Sequence, residues 1–372
     1  MGYNAFIFLD IYAQEGGIQA YTRLLLERYA QLPKTLPAKV FALRDSDQDP
    51  NPLQQSAQLE FLNFADSSTV RGRLRLAITL FRQFQKAPPT EVFCGHINLV
   101  PLIQALCQLF RLPYTVLTYG KEVWPPLSWL QRRGILGAKR SLFISRYSRD
   151  KACAANGLDP NTFQYLPSAV DGNLFQPGEK PVDLVEKYQV QDCPVILTVA
   201  RLWSGDIYKG VDVTLRSLPT ILKQFPRVKY IVVGRGDDRP RLEQLAVELN
   251  IQDRVVFAGF VPAEELEAHY RLADIYVMPS QEGFGIVYLE AMACGVPVLS
   301  GDADGSADPL QDGRLGWRVP HREPAAVAIA VQEMLRGQDR RCDGQWLRRE
   351  SLEAFGVPAF EYRLANILGQ KT

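Results

Sequence analysis

Histidine is scarce in this chain: three residues in 372, His96, His269 and His321, each far from the others. That excludes a histidine-rich metal centre and makes a zinc site a poor reading. The six cysteines (Cys94, Cys107, Cys153, Cys193, Cys294, Cys342) are widely spaced and include no C-x-x-C pair. A disulfide-stapled secreted scaffold is therefore excluded, and the thiols read as reduced and mostly structural. No apolar run approaches the ~20 residues of a membrane span. Met1–Asp10 has neither the basic start nor the long apolar core of a secretory signal, so a cytoplasmic protein is expected. Blocks of like charge, low-complexity tracts and repeats of roughly 20–50 residues are also missing, which sets aside disorder, solenoids and propellers.

Net charge is only +1, but it is unevenly placed. Residues 1–170 hold 19 Lys and Arg against 12 Asp and Glu, and the remainder holds 23 against 29. A front half so biased should meet something anionic.

What is present is a long, well-mixed globular sequence. At 372 residues and 47% hydrophobic content the chain exceeds one ordinary core and fits two α/β domains. Short β-rich runs alternate with helical-period segments throughout, the pattern of parallel sheets covered on both faces. In the front half, strands are expected at Ala5–Asp10, Lys39–Leu43, Glu91–Cys94, Tyr114–Thr118, Ser141–Ile144 and Phe163–Leu166, with a helix from Ile18 to about Leu32 after Gly16-Gly17. Turn formers and two prolines mark 167–177 as a linker. In the back half, strands are expected at Val195–Val199, Lys229–Val233, Val255–Ala258 and Ile275–Met278, each ending in a glycine or a polar turn. In open α/β sheets that carboxyl edge is where ligands bind. The expected division is 1–170, 171–357, and a final helix in 358–372 that crosses back to the first domain.

The strongest chemical signal is Glu282-Gly-Phe-Gly-Ile-Val-Tyr-Leu-Glu290. Gly283 and Gly285 let the backbone turn sharply and approach a ligand. The helix that follows offers unpaired N–H groups and a positive dipole. Glu282 at that mouth can accept hydrogen bonds from sugar hydroxyls, and Glu290, deeper on the helix, from a ribose diol. An isolated pair at this spacing more often means one glutamate complementing a dipole and one on a solvated face. The context tips the balance. Arg201 ends a strand and Lys209 opens a helix, and two cations there can hold a diphosphate without a metal ion. The intervening loop, Trp203–Tyr208, contains Ser-Gly-Asp and reads as mobile.

Through these residues the back half resembles the donor domain of glycosyltransferase family 4, whose enzymes have the GT-B fold. The resemblance rests on Arg201, Lys209-Gly210, Val233-Gly234 with Gly236, Phe257-Ala-Gly259, Pro279-Ser-Gln-Glu282-Gly-Phe-Gly285, Leu289-Glu-Ala-Met292 and Gly295-Val-Pro297. The front half is similar more weakly, through Gly16-Gly-Ile18, Ile144-Ser145 and Ser168–Phe175. It implies two Rossmann-like, doubly wound domains facing each other across a cleft, and a retaining, metal-independent transfer of a hexose-like sugar from a nucleoside diphosphate to an acceptor hydroxyl. Attack would be from the front face, with the departing phosphate taking the acceptor's proton. The only co-substrate implied is the nucleotide sugar, and no cofactor or metal is implied. Arg201 and Lys209 would bind the diphosphate and Glu282 would face the sugar, these three being the catalytic set. Gly17, Gly236, Val261, Gly283, Phe284, Gly285, Ile286 and Glu290 would bind the donor. His96, Tyr119 and Glu122 would lie on the acceptor side.

The chain also departs from the family pattern. Tyr119-Gly-Lys-Glu122 stands where relatives often have His-Gly-x-Glu, and Asp308 is the substitute for the acidic residue of a later Gly-Gly-x-x-Glu stretch. Two D-x-D strings, Asp45–Asp47 and Asp302–Asp304, are read as chance rather than as metal ligands. Competing readings are a same-fold epimerase or phosphorylase, and a two-domain sugar-binding protein without catalysis. The expected acceptor is a glycan, a lipid or a small molecule, and no nucleic acid partner is expected. Finally, Val70–Lys86 places Arg71, Arg75, Arg82 and Lys86 near one side of a helix with Leu74, Ile78, Phe81 and Phe84 elsewhere. This suits a peripheral contact with the inner face of a membrane.

Overall fold

The computed structural model describes residues 2–370. The chain folds as two compact units. One is the chain up to Ser168 together with the segment from Phe360 onward; the other is Ala169–Ala359. The front unit carries seven strands: β1 (Asn4–Phe8), β2 (Ala38–Ala42), β3 (Leu59–Asn63), β4 (Glu91–Cys94), β5 (Tyr114–Thr118), β6 (Arg140–Phe143) and β7 (Phe163–Tyr165). They pair in the order β3-β2-β1-β4-β5-β6-β7, all parallel. The back unit carries β8 (Val195–Val199), β9 (Lys229–Val233), β10 (Val255–Gly259), β11 (Ile275–Met278), β12 (Val298–Gly301) and β13 (Trp317–Val319). Their order is β10-β9-β8-β11-β12-β13, again all parallel.

Helices on both faces explain why the central strands are apolar at every position rather than alternating: all five residues of β1 and all four of β11 are buried. In each sheet the strand order reverses at the first strand, between β1 and β4 in front and between β8 and β11 behind. These switch points leave a crevice at the carboxyl ends of the two strands, and that placement decides which loops can bind a ligand.

Helix Thr69–Lys86 is capped by Ser68 and packs Gly72, Leu76, Leu80 and Phe84 inward. Phe84 therefore belongs to the core, edge-on to Phe110 at 6.2 Å, and not to the outward apolar set expected from the sequence. The outward side holds Val70, Leu74, Ile78 and Phe81. Helix Val357–Ile367 begins in the back unit and ends in the front one. Within the front unit Phe360 is fully buried and lies edge-on to Tyr21 at 6.1 Å. The Arg140 guanidinium donates to the Ile367 carbonyl at 2.5 Å.

Candidate active site

At the front switch point, Asp45 follows β2 and accepts the backbone N–H groups of Ile11 at 2.9 Å, Tyr12 at 3.0 Å and Ala13 at 3.3 Å. It thereby shapes the loop after β1. Beside it, buried Asp10 accepts from Gln19 and, at 3.1 Å, from Arg44. Gly17 is an exposed first residue of helix Gly17–Gln31, whose N-cap Gly16 supplies no side-chain bond. The first-turn N–H groups of that helix therefore lack a capping side chain. His96 follows β4. Its Nδ1 accepts from the Asn98 N–H at 3.1 Å, which assigns the ring proton to Nε2. Burial, reinforced by Arg44 and opposed by Asp10, pulls its pKa down, so the neutral ring presents Nε2–H as a donor at pH 7.

Tyr119 is buried and donates its hydroxyl to the Gly95 carbonyl at 3.0 Å. Glu122 accepts the Tyr119 backbone N–H at 2.6 Å, and burial pushes its pKa up. In the structure both side chains are thus occupied in shaping the turn after β5.

The back switch point holds the larger cluster. Arg201 and Lys209 end the loop after β8 and line one open pocket together with Trp203, Asp206, Asp212 and Arg241. Arg201 pairs with Asp206 at 3.0 Å and stacks on the Trp203 ring at 4.9 Å. Lys209 is ion-paired with Glu282, and both side chains are largely buried. Within the loop Trp203–Tyr208, Ser204 donates through N–H and hydroxyl to Asp237, each at 2.8 Å. Gln281 N–H donates to the Tyr208 carbonyl at 3.0 Å, joining this loop to the one after β11.

Two glycines are required by the geometry. Gly285 sits at φ 90° as N-cap of helix Ile286–Ala293, a left-handed conformation that only glycine adopts without strain. At Gly236 a Cβ would lie 1.9 Å from the Leu202 carbonyl oxygen, so the loops after β8 and β9 touch backbone to backbone. Phe284 points inward, edge-on to Phe355 at 5.8 Å, so any ligand contact at this position falls to its backbone. Val261 is buried, whereas Ile286 is partly exposed at the helix start. Glu290 accepts the Tyr270 hydroxyl at 2.6 Å. Burial pushes its pKa up to about 6, against the pull of that bond.

Several participants were not identified from the sequence: Asp206 as partner of Arg201, Tyr270 as partner of Glu290, and Asp304, whose Oδ2 accepts the Glu282 N–H at 2.6 Å. Only Asp206 carried a visible cue, its place in the Ser-Gly-Asp loop. Asp308, the expected acidic substitute, is buried within a turn, its N–H donating to the Gly305 carbonyl at 3.2 Å. Among the described residues, no group of three His, Cys, Asp or Glu is arranged to hold a metal ion.

Residues 193–337 match the family model Glycosyl transferases group 1. The chain is 36% identical over 231 residues to a GDP-mannose-dependent alpha-(1-6)-phosphatidylinositol monomannoside mannosyltransferase of Mycolicibacterium smegmatis, covering 59% of each chain. It is 31% identical over 279 residues to D-inositol 3-phosphate glycosyltransferase 2 of Catenulispora acidiphila, covering 72% of this chain and 65% of that one. These alignments thus span about three fifths of the length of the relatives. In fold, the chain is similar over its whole length to Anabaena HepE in complex with UDP, with a TM-score of 0.81 at 19% identity and all of both chains covered. Sucrose-phosphate synthase from Thermosynechococcus elongatus gives 0.80 at 21% identity, over 100% of this chain and 99% of that one. The chain thus has the GT-B fold, and its residues 193–337 form a domain of the Glycosyl transferases group 1 family.

Proposed function

We propose that this chain is a retaining, metal-independent glycosyltransferase that moves a hexose-like sugar from a nucleoside diphosphate to an acceptor hydroxyl. One observation carries the reading: Arg201 and Lys209 line one pocket at the back switch point, and Lys209 is paired with Glu282. A diphosphate entering there replaces the Asp206 and Glu282 carboxylates as the anion facing the two cations. Glu282 is then released to accept hydrogen bonds from the sugar. In the transfer step the bond between the anomeric carbon and the phosphate oxygen breaks, and its electron pair stays on the phosphate, where Arg201 and Lys209 stabilise it. The acceptor oxygen bonds to the same face of the carbon, and its proton passes to the departing phosphate. Glu290 accepts the ribose hydroxyls, backbone groups near Gly259-Phe-Val261 bind the base, and the front unit binds a glycan, lipid or small-molecule acceptor. Carboxylate lone pairs support metal independence: those of Asp45 and Asp304, one from each D-x-D string, are engaged by backbone N–H groups.

The test is a thermal-shift panel of nucleoside diphosphates and their sugars on wild type and Glu290→Gln. GDP-mannose and UDP-glucose come first, as the donors named for a relative and a structural neighbour. Stabilisation by one nucleotide class, unchanged by EDTA and reduced about tenfold in affinity by Glu290→Gln, is expected. No shift with any nucleotide would overturn the reading.

The sign of the pH dependence follows from Glu290. Its pKa is raised to about 6, so its carboxylate is present above that pH and lost below it. Protonation turns one carboxylate oxygen into a donor and removes the charge, so the ribose hydroxyls are held more weakly. Nucleotide affinity should therefore fall as pH drops through 6, levelling off about tenfold down, the same loss expected for Glu290→Gln. The nucleotide's own terminal phosphate titrates near pH 6 as well, but that limb persists in Glu290→Gln. The difference between the two proteins isolates the carboxylate.

Location belongs to the same proposal. No cysteine is disulfide-bonded, consistent with work in the reducing cytoplasm, and among the described residues no helix is long and apolar enough to cross a membrane. The outward stripe Val70, Leu74, Ile78 and Phe81, flanked by exposed Arg71 and Arg75, supports peripheral docking on an anionic bilayer. Leu74→Glu with Ile78→Glu should reduce cosedimentation with phosphatidylglycerol-containing vesicles at low salt at least fivefold. Equal binding of wild type and variant would remove the docking proposal.

A further inference from the structure

We infer that Asp304 is a positioning residue of the donor site: its buried carboxylate fixes the backbone of Glu282, and with it the reach of the Glu282 side chain to Lys209 and the transferred sugar. This rests on the donor-site reading above, but it comes from separate observations.

Asp304 is 1% exposed, and among the described residues it forms no ion pair. Its two oxygens do different work. Oδ1 accepts the Ser306 N–H at 2.9 Å and the Ser306 hydroxyl, which is ordinary local capping of the turn Gly305–Ala307. Oδ2 reaches across 22 residues of sequence to accept the Glu282 N–H at 2.6 Å. The turn also answers that bond: the Gly305 N–H donates to the Glu282 carbonyl at 2.8 Å. The backbone of Glu282 is therefore held on both its N–H and its C=O. Gly305 permits the approach, since a Cβ there would lie 2.0 Å from the Gly283 carbonyl oxygen.

A carboxylate buried without a cation is costly, so a neutral side chain would serve a purely structural turn better. The count of donors explains the charge. Three donors converge on Asp304, on opposite oxygens, and an asparagine offers one oxygen and one NH₂ group. With two donors on the Ser306 side, its oxygen stays there and its NH₂ faces the Glu282 N–H. Capping alone requires only Oδ1, and the Oδ2 bond has no role in the turn. What it restrains is the residue whose side chain pairs with Lys209.

Asp304→Asn tests the inference directly. Nucleoside diphosphate affinity should stay within about threefold of wild type, because Arg201 and Glu290 are untouched. The kcat for sugar transfer should fall roughly 10- to 100-fold. Ser306→Ala, which removes the hydroxyl bonds to Oδ1 and to the Gly301 carbonyl and leaves the Oδ2 bond in place, should keep kcat within about threefold of wild type. In a double-mutant cycle, Asp304→Asn should add little to the loss already caused by Glu282→Gln.

Amide exchange gives an answer that needs no donor. Exchange of the Glu282 N–H should accelerate about tenfold in Asp304→Asn and not in Ser306→Ala. Unchanged exchange in the folded Asp304→Asn protein, or a kcat within twofold of wild type, overturns the inference. Should that variant fail to fold, wild type supplies the same measurement by acidification. Burial, with Glu282 adding to it, pushes the Asp304 carboxyl up to about 6. The ionisable groups facing it are the Glu282 carboxylate and the Tyr288 hydroxyl. Exchange at Glu282, corrected for its intrinsic pH dependence, should rise as pH falls through 6, and a flat corrected rate overturns the inference. If wild type binds no nucleotide, the donor-site reading fails, and the exchange result still decides whether Asp304 positions Glu282.

Discussion

Lys209→Met should lower kcat/KM for the nucleotide sugar about a thousandfold, roughly 4 kcal/mol of transition-state stabilisation. The magnitude follows from where charge develops: the departing diphosphate gains negative charge as the anomeric bond breaks, and Lys209 lies largely buried, where water screens it poorly. The same substitution also has a structural effect. It leaves the Glu282 carboxylate, equally buried, without its cation, which should destabilise the fold by about 1–3 kcal/mol, less than for a fully buried pair. Adding Glu282→Gln removes the unpaired charge and should restore most of the lost melting temperature. It should not restore activity, because the phosphate would still lack Lys209 and the sugar would lack Glu282. Steady-state kinetics and thermal melts on the two singles and the double check both statements. Recovery of activity in the double variant would mean that Lys209 acts only by neutralising Glu282.

This pairing shows where sequence reading reaches its limit. The continuous apolar runs Val195–Val199, Lys229–Val233 and Ile275–Met278 are strands at the positions expected, because central parallel strands are buried on both faces and leave an unbroken signal. β3 was missed because it is an edge strand in which only Leu59 is fully buried. β12 and β13 were missed as well, and β13 is likewise an edge strand, of three residues. In the candidate site, the order of strand, glycine turn and charged residue was enough to single out Arg201, Lys209, Glu282 and Glu290.

Their partners were not legible. Lys209 and Glu282 are 73 residues apart, Glu282 and Asp304 are 22, and Tyr270 and Glu290 are 20. No local spacing encodes such pairs; the strand order brings them together. The two D-x-D strings make the same point. Each contains one aspartate that fastens a loop after a central strand, Asp45 in front and Asp304 behind. In sequence each is only a pair of carboxylates in a polar stretch.

Phe360→Ala should destabilise the front unit by about 3–5 kcal/mol, or on the order of 10 °C in its melting temperature. Phe360 is fully buried, and its ring meets the edge of Tyr21, whose hydroxyl donates to the Leu166 carbonyl at 2.9 Å. Tyr21 in turn lies edge-on to Tyr119 at 5.5 Å. Truncating the ring leaves a cavity against Tyr21, whose hydroxyl, like that of Tyr119 behind it, is already committed to a backbone carbonyl. The two tyrosines can move into the space only by giving up those bonds, so collapse is restricted and the cost should lie toward the upper end of the range. The polar contacts of the same helix cannot compensate. Glu361 and Arg28 are 3.6 Å apart near the surface, and such pairs contribute about 0–1 kcal/mol. The residues proposed to bind the donor phosphates and ribose all lie in the back unit, so the thermal shift caused by a saturating nucleoside diphosphate should survive in Phe360→Ala while the front unit melts early. Melting followed by amide exchange separates the two units. Equal loss in both would show that they unfold as one cooperative body, and that Phe360 supports more than the core in which its side chain lies.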